Sequence, residues 1–127
     1  MAKVLMVAAG GAAGAVLRYA IAGWTQRLAS GSFPVGTLAV NVVGCFLIGF
    51  LGVAFSRYIL IREEYRLALT IGLLGAFTTF STYGWETFSL MNDGQKWQAA
   101  LNLLASNAFG LAGVWLGFRL AERWYGA

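Results

Sequence analysis

The sequence predicts an all-α membrane protein with four transmembrane helices in a single domain, residues 1–127. The first observation is composition: 59% of the residues are hydrophobic and only 11% are charged. Charges this few do not cover the surface of a soluble domain of this size. The second is that three uncharged runs, 35–55, 67–85 and 97–118, are each close to the roughly 20 residues that cross a bilayer as a helix. The third is that only short polar connections separate the runs.

The first predicted span, residues 4–25, begins with an uncharged run that Arg18 interrupts before apolar residues resume. A cleaved signal peptide is the alternative, with Lys3 as its basic start and small residues near 13–15 as its cleavage site. Because the apolar pattern continues to Trp24 and the three later spans need no separate export signal, we interpret the run as a retained helix.

The other three spans are predicted at residues 35–55, 67–88 and 97–118. The only proline, Pro34, stands where the second helix would start, a position that proline favours. A charged loop covers residues 56–66, and Asn92-Asp93-Gly94 is a turn signal before the fourth span.

The basic residues flank the spans instead of gathering on one element, which is typical of anchors at the lipid interface and not of a nucleic-acid site. Six Lys and Arg lie on the side that holds both termini and the second loop, against three on the other side when Arg18 is included. This bias favours cytoplasmic termini.

The composition also excludes most catalytic chemistry. There is no histidine, and Cys45 is the only cysteine, so the usual zinc sites and catalytic triads are absent from the sequence. Cys45 is most simply a small packing residue within the second span. No glycine-rich phosphate loop precedes a lysine. We therefore predict that the protein is not an enzyme.

Small and polar residues within the spans are the informative ones. Glycines at helical spacing, as in the Gly10/Gly14 and Gly113/Gly117 pairs, allow membrane helices to pack closely. Polar groups at membrane depth face either the protein interior or a water-filled path. They are Asn41 in the second span, Thr78, Thr79, Ser81 and Thr82 in the third, and Asn102, Ser106 and Asn107 in the fourth. Interhelical hydrogen bonding is the simpler explanation for any one of them, but packing does not need four hydroxyl residues within five positions.

The third span contains the sequence GLLGAFTTFSTYGWE at residues 72–86. Glycines and hydroxyl residues are poor choices for an uninterrupted helix, so we predict a break in the middle of the membrane. A break is tolerated there only where it is buried in protein or lines a cavity. Its unpaired carbonyls would suit a small cation.

These residues resemble a known family, the small fluoride channels called Fluc or CrcB. The resemblance covers almost the whole chain, including Leu17-Arg18-Tyr19, Gly36-Thr37 followed by Asn41, and above all residues 72–86. The family's third helix has a pattern close to GxxGGxTTFSTF, matched here by residues 72–83. Ala76 and Tyr83 depart from it, standing where the pattern has glycine and phenylalanine.

The resemblance implies an antiparallel, dual-topology homodimer in the bacterial inner (plasma) membrane that exports fluoride passively through two pores. It implies a structural sodium ion at the dimer centre, held by backbone carbonyls that correspond to Gly75 and Thr78. Asn41, Phe80 and Tyr83 take the places of pore residues, and Arg18 matches a basic residue of the first helix. Other residues implied in the pore, a polar track or its support are Ser81, Thr82, Thr79, Glu86 and Ser106. Aromatic ring edges are positive and can face an anion without a fixed charge that traps it.

Two other functions remain open on the residues alone. A small proton-coupled multidrug exporter would need a titratable group in the membrane. The first span has no carboxylate, and Glu86 lies at the end of the third. An accessory subunit that only packs against other membrane proteins would explain the glycines but not the polar third span.

Overall fold

Four long helical spans and no strand form the part of the chain that the computed structural model describes, residues 1–126. Helix α1 is Ala2–Ala29, α2 is Val35–Val53 and continues as a π-helical segment Ala54–Tyr58, and α5 is Lys96–Tyr125. The third span consists of α3, made of consecutive segments Glu63–Leu67, Ala68–Leu74 (π-helical) and Gly75–Phe77, and of α4, Phe80–Asn92.

All four spans are long and apolar enough to cross a membrane: Ala2–Ala29, Val35–Tyr58, Glu63–Asn92 and Lys96–Tyr125. Each contains the corresponding interval predicted from the sequence and extends beyond it. Ser30 and Gly94 adopt positive φ angles of 43° and 77° after α1 and α4, and Gly94 belongs to the predicted turn signal. The protein is therefore a multi-pass membrane protein.

Small residues lie between the helices and large apolar ones lie outside. Gly49 of α2 and Gly117 of α5 are buried where these helices pack along each other, and a Cβ at Gly117 would collide with the backbone carbonyl of Phe46. Leu111 and Trp115 of α5 are instead 72% and 58% exposed. This distribution suits lipid, where close backbone approach and not apolar burial drives helix association.

Polar contacts tie the loops together at each end of the bundle. At one end, Arg57, near the end of the second span, and Arg119 contact Glu122 at 3.3 and 3.4 Å, and Lys3 pairs with Glu63. At the other, the Ser32 hydroxyl lies 2.7 and 2.8 Å from the amide oxygens of Gln95 and Gln98. Both described chain ends and the second loop therefore lie on one side, and the first and third loops lie on the other.

The third span changes its neighbours partway along its length. All segments of α3 pack mainly on α1, whereas α4 packs mainly on α5. The change occurs at Thr78 and Thr79, the two residues between Phe77 and Phe80 that are not helical. These two residues and their surroundings form the candidate site.

Candidate functional site

The interruption between α3 and α4 is an extended dipeptide. Thr78 has φ −86° and ψ 157°, and Thr79 has φ −150° and ψ 111°. The last turn of α3 is closed by Thr78, whose backbone N–H and side-chain hydroxyl both lie 3.0 Å from the carbonyl oxygen of Leu74. Extended residues at this point leave backbone groups without the usual helical partners.

The Asn41 side chain of α2 provides partners for both backbone groups of Thr79. Its Oδ1 accepts from the Thr79 N–H at 2.7 Å, and its Nδ2 donates to the Thr79 carbonyl at 3.1 Å. A side-chain amide can accept at its oxygen and donate from its nitrogen in this paired way. Oδ1 and one Nδ2 hydrogen of Asn41 are thus used in holding the interruption, and the second Nδ2 hydrogen has no acceptor among residues 1–126.

The Thr79 side chain starts α4. Its Oγ1 accepts a hydrogen bond from the Thr82 N–H at 3.2 Å, which is a typical N-cap contact, and lies 2.9 Å from the Thr82 hydroxyl. The Ser81 hydroxyl lies 3.4 Å from the same oxygen. The crowding of hydroxyl residues in the sequence therefore has a local structural role, because these side chains replace the partners that an unbroken helix would supply.

The carbonyls of Gly75 and Thr78 are the backbone groups that this arrangement leaves without hydrogen-bond donors. The Thr79 N–H, which would bond to the Gly75 carbonyl in a continuous helix, bonds instead to Asn41. Within residues 1–126 neither carbonyl accepts a hydrogen bond from the protein. Hard cations prefer oxygen ligands such as these. Residues 1–126 contain no group of three or more His, Cys, Asp or Glu side chains that could hold a metal ion.

A cavity of about 420 Å³ adjoins the interruption. Its wall is uncharged and contains seven of the predicted site residues: Asn41, Gly75, Thr78, Thr79, Phe80, Tyr83 and Ser106. The Phe80 and Tyr83 rings lie 5.5 Å apart at an interplanar angle of 52°. Phe80 is 83% exposed, whereas Tyr83 is only 8% exposed.

Buried polar side chains join α4 to α5 beside this cavity. Asn102 is 1% exposed and donates at 2.8 Å to the hydroxyl of Thr87, which itself donates to the Tyr83 carbonyl. The Ser106 hydroxyl donates to Asn102 Oδ1 at 3.2 Å. The i, i+4 spacing of Asn102 and Ser106 in the sequence thus corresponds to a direct contact, so interhelical hydrogen bonding explains Asn102.

A second cavity, of about 490 Å³, lies against α1, α2 and α4 and shares Thr79 with the first. It contains the charged members of the predicted site, Arg18 and Glu86, as well as Thr82. The Thr37 hydroxyl donates to Glu86 Oε1 at 2.7 Å, while Oε2 is buried and has no hydrogen-bond partner among residues 1–126. The second cavity is therefore polar and contains both signs of charge.

The predicted residues thus divide between two cavities that meet at Thr79. Ser81 lines neither cavity, although its hydroxyl approaches Thr79. Two further residues were not predicted as part of the site: Thr37, which holds Glu86, and Asn107, which contacts the Tyr83 hydroxyl. Thr37 lies one helical turn before Asn41 and so shares its face, a spacing that could have identified it.

Comparisons with known proteins agree over nearly the full length. The family described as "CrcB-like protein, Camphor Resistance (CrcB)" matches residues 5–118. A Geobacter sulfurreducens protein named "Fluoride-specific ion channel FluC" is 51% identical over 97% of this chain and 99% of its own. A protein of the same name from Geobacter metallireducens is 48% identical over 96% of this chain and 98% of its own. "Fluoride-specific ion channel FluC 1" of Methanosarcina acetivorans is 44% identical over 92% of this chain and 88% of its own.

Proposed function

We propose, from the premise that the chain belongs to the CrcB-like family, that it is a fluoride-specific ion channel. The observation that carries the proposal is 51% identity, across 97% of the chain, to a protein named as such a channel. Flow through a channel is passive, so the direction follows the gradient. In the inner (plasma) membrane, which we propose as its location, the channel lowers cytoplasmic fluoride whenever less fluoride is outside. It is a channel and not an enzyme.

The uncharged cavity supports passage of a small anion. A fluoride ion that leaves water needs replacement partners, because desolvating a bare charge is very unfavourable. The Phe80 and Tyr83 rings have positive edges, and Asn41 contributes to the same wall an Nδ2 hydrogen that the Thr79 backbone does not use. No charged side chain lines this cavity to hold the ion permanently. Several weak contacts favour entry and also exit, as conduction requires.

The second cavity suits the mouth of such a path. The Arg18 guanidinium attracts an anion, and Thr82 offers a hydroxyl closer to the shared residue Thr79. Glu86 repels an anion unless it is protonated or turned away, and its bond with Thr37 fixes one of its oxygens. We propose that fluoride enters beside Arg18 and passes Thr79 to the aromatic pair. Ser81 then acts on this path through Thr79 and not by direct contact.

We further propose that two chains assemble as an antiparallel homodimer, with the interruption at residues 78–79 in the middle of the membrane. The exposed Gly75 supports this proposal, since its unpaired backbone carbonyl would need cover in lipid. The Gly75 and Thr78 carbonyls of both chains would then hold one sodium ion. Bound there, sodium would supply a positive charge that satisfies the unpaired carbonyls and joins the subunits.

One observation favours a second candidate, a small proton-coupled exporter. Glu86 lies within the third span, and its Oε2 is buried without a hydrogen-bond partner in the described part of the chain. A titratable group at such a position is what proton coupling needs. The fluoride channel remains the better proposal because the uncharged cavity and the aromatic pair have no part in that mechanism.

Ion efflux from proteoliposomes tests the proposal. The purified protein is reconstituted with internal fluoride, and efflux is followed with a fluoride electrode, with and without an imposed proton gradient. We expect rapid fluoride efflux that follows the fluoride gradient alone, and almost none for chloride under matched conditions. Efflux that requires the proton gradient would favour the exporter. Fluoride efflux no faster than from protein-free vesicles would refute the fluoride channel.

A further inference from the structure

The Tyr83 hydroxyl has one protein partner, and the geometry fixes which of the two donates. Asn107 of α5 places its Nδ2 3.3 Å from the Tyr83 hydroxyl oxygen and 2.7 Å from the carbonyl oxygen of Leu103. A backbone carbonyl only accepts, so the Asn107 atom beside it must be the nitrogen and not the amide oxygen. The orientation of the Asn107 amide is therefore set by Leu103, without reference to Tyr83.

Both hydrogens of Nδ2 then have an acceptor, one at Leu103 and the other at Tyr83. The Tyr83 oxygen accepts in this contact, and its own proton must point elsewhere. Within residues 1–126 no protein acceptor lies within hydrogen-bond distance of that proton. Tyr83 is 8% exposed, and together with Asn107 and Ser106 it lines the uncharged cavity. The chain thus keeps a free O–H donor at the wall of this cavity.

We propose that the Tyr83 hydroxyl is an anion-binding donor in the path, and that Asn107 is the residue that positions it. The inference rests on the proposed function and adds to it a hydrogen-bond site separate from the ring edges. A phenylalanine at position 83 would present a ring edge but no such donor. By accepting from Asn107, the phenol oxygen becomes a better donor, because linked hydrogen bonds polarise one another.

The Tyr83 hydroxyl is expected to make fluoride bind more tightly in the cavity than it would with phenylalanine at position 83. A net hydrogen bond contributes about 1 kcal/mol, which corresponds to about a fivefold change in a dissociation constant. Tyr83→Phe should therefore raise the half-saturating fluoride concentration of efflux about fivefold. The efflux rate at saturating fluoride should change less, because a site that binds more weakly also releases the ion faster.

The test is a double-mutant cycle on full-length protein in proteoliposomes, with Tyr83→Phe, Asn107→Leu and the double variant. Asn107→Asp serves as a second variant, because a carboxylate accepts the phenol proton and so removes the donor. Tyr65→Phe, which deletes a phenol hydroxyl outside both cavities, is the matched control. For each protein, half-saturating fluoride is measured by efflux, and fluoride affinity is measured separately by calorimetry on the purified protein.

We expect Asn107→Leu to raise half-saturating fluoride about threefold to fivefold when Tyr83 is present and to have no effect in the Tyr83→Phe background. Equal effects in both backgrounds would show that Asn107 only packs, and would overturn its positioning role. An unchanged fluoride affinity in Tyr83→Phe would overturn the donor itself. A parent that binds fluoride with this Tyr83 dependence but does not conduct would refute the proposed function and retain the site. A parent that neither binds nor conducts would refute both.

Discussion

Asn41→Ala is expected to open the interruption in the third span. The substitution removes both hydrogen bonds to the Thr79 backbone, at 2.7 and 3.1 Å. It leaves an N–H and a carbonyl that the extended conformation prevents any neighbouring turn from satisfying. The same residue was predicted as a pore residue, so its replacement should affect both stability and conduction.

The magnitude follows from the two lost bonds. Each contributes about 1 kcal/mol net, and a buried group left without a partner costs about 1–3 kcal/mol. We expect roughly 2–4 kcal/mol of local destabilisation, because Asn41 is half-buried and water reaches part of the site. The lower value corresponds to about a thirtyfold increase in the population of the open conformation.

Amide hydrogen exchange at Thr79 measures this opening directly, since exchange of a protected amide requires the bond to break. The Thr79 amide should exchange about thirtyfold faster in Asn41→Ala, while the Asn102 region of α5 keeps its protection. Asn92→Ala is the matched control, because Asn92 lies exposed at the end of α4. Unchanged Thr79 exchange in a folded Asn41→Ala protein would show that the amide pair does not hold the interruption.

Five further outcomes are expected. Phe80→Ile, which keeps apolar bulk but removes the ring edge, should nearly abolish fluoride efflux, and parent-like efflux would refute the aromatic mechanism. Tyr83→Phe should still conduct, with efflux changed by less than about tenfold, equivalent to about 1.4 kcal/mol in the barrier. Replacing sodium with a large organic cation should reduce efflux or weaken the dimer if the carbonyls of Gly75 and Thr78 hold a structural ion, and thorough sodium removal without either effect would count against the site. C-terminal reporter fusions should appear on both sides of the membrane, and an entirely cytoplasmic signal would exclude dual topology. Gly117→Val should destabilise the α2–α5 contact by at least about 1–3 kcal/mol in thermal unfolding, because its Cβ would collide with a backbone carbonyl, whereas the control Gly52→Val meets open space.

The four spans could be predicted from the sequence because a helix that crosses a lipid bilayer must be long and mostly apolar. Pro34 and Gly94 also marked helix boundaries correctly, since each has a restricted or unusual backbone conformation. The π-helical segments Ala54–Tyr58 and Ala68–Leu74 were not predicted. Their wider turn depends on packing against other helices and leaves no distinct residue pattern.

The candidate site was predictable where chemistry depends on neighbours in sequence, and less so where it depends on neighbours in space. The hydroxyl cluster at residues 78–82 indicated local competition for backbone groups, and Thr79 does cap α4. The pairing of Asn41 with Thr79 joins residues 38 positions apart. Likewise, Asn107 and Tyr83 lie 24 positions apart on different helices, and the local sequence does not indicate which residue Asn107 contacts.

The two carbonyls without hydrogen-bond partners at the interruption affect how readily the proposed pair of subunits dissociates in the membrane. In hydrocarbon, a backbone group without a partner costs several kcal/mol, and a separated subunit would have to expose both Gly75 and Thr78. Dissociation would carry that penalty twice, once for each chain. Subunit exchange between pairs should therefore be slow, and newly made chains should combine with one another before they combine with chains already assembled. Differently labelled channels, mixed in one membrane, should keep their original partners for far longer than lipid diffusion takes to bring them together.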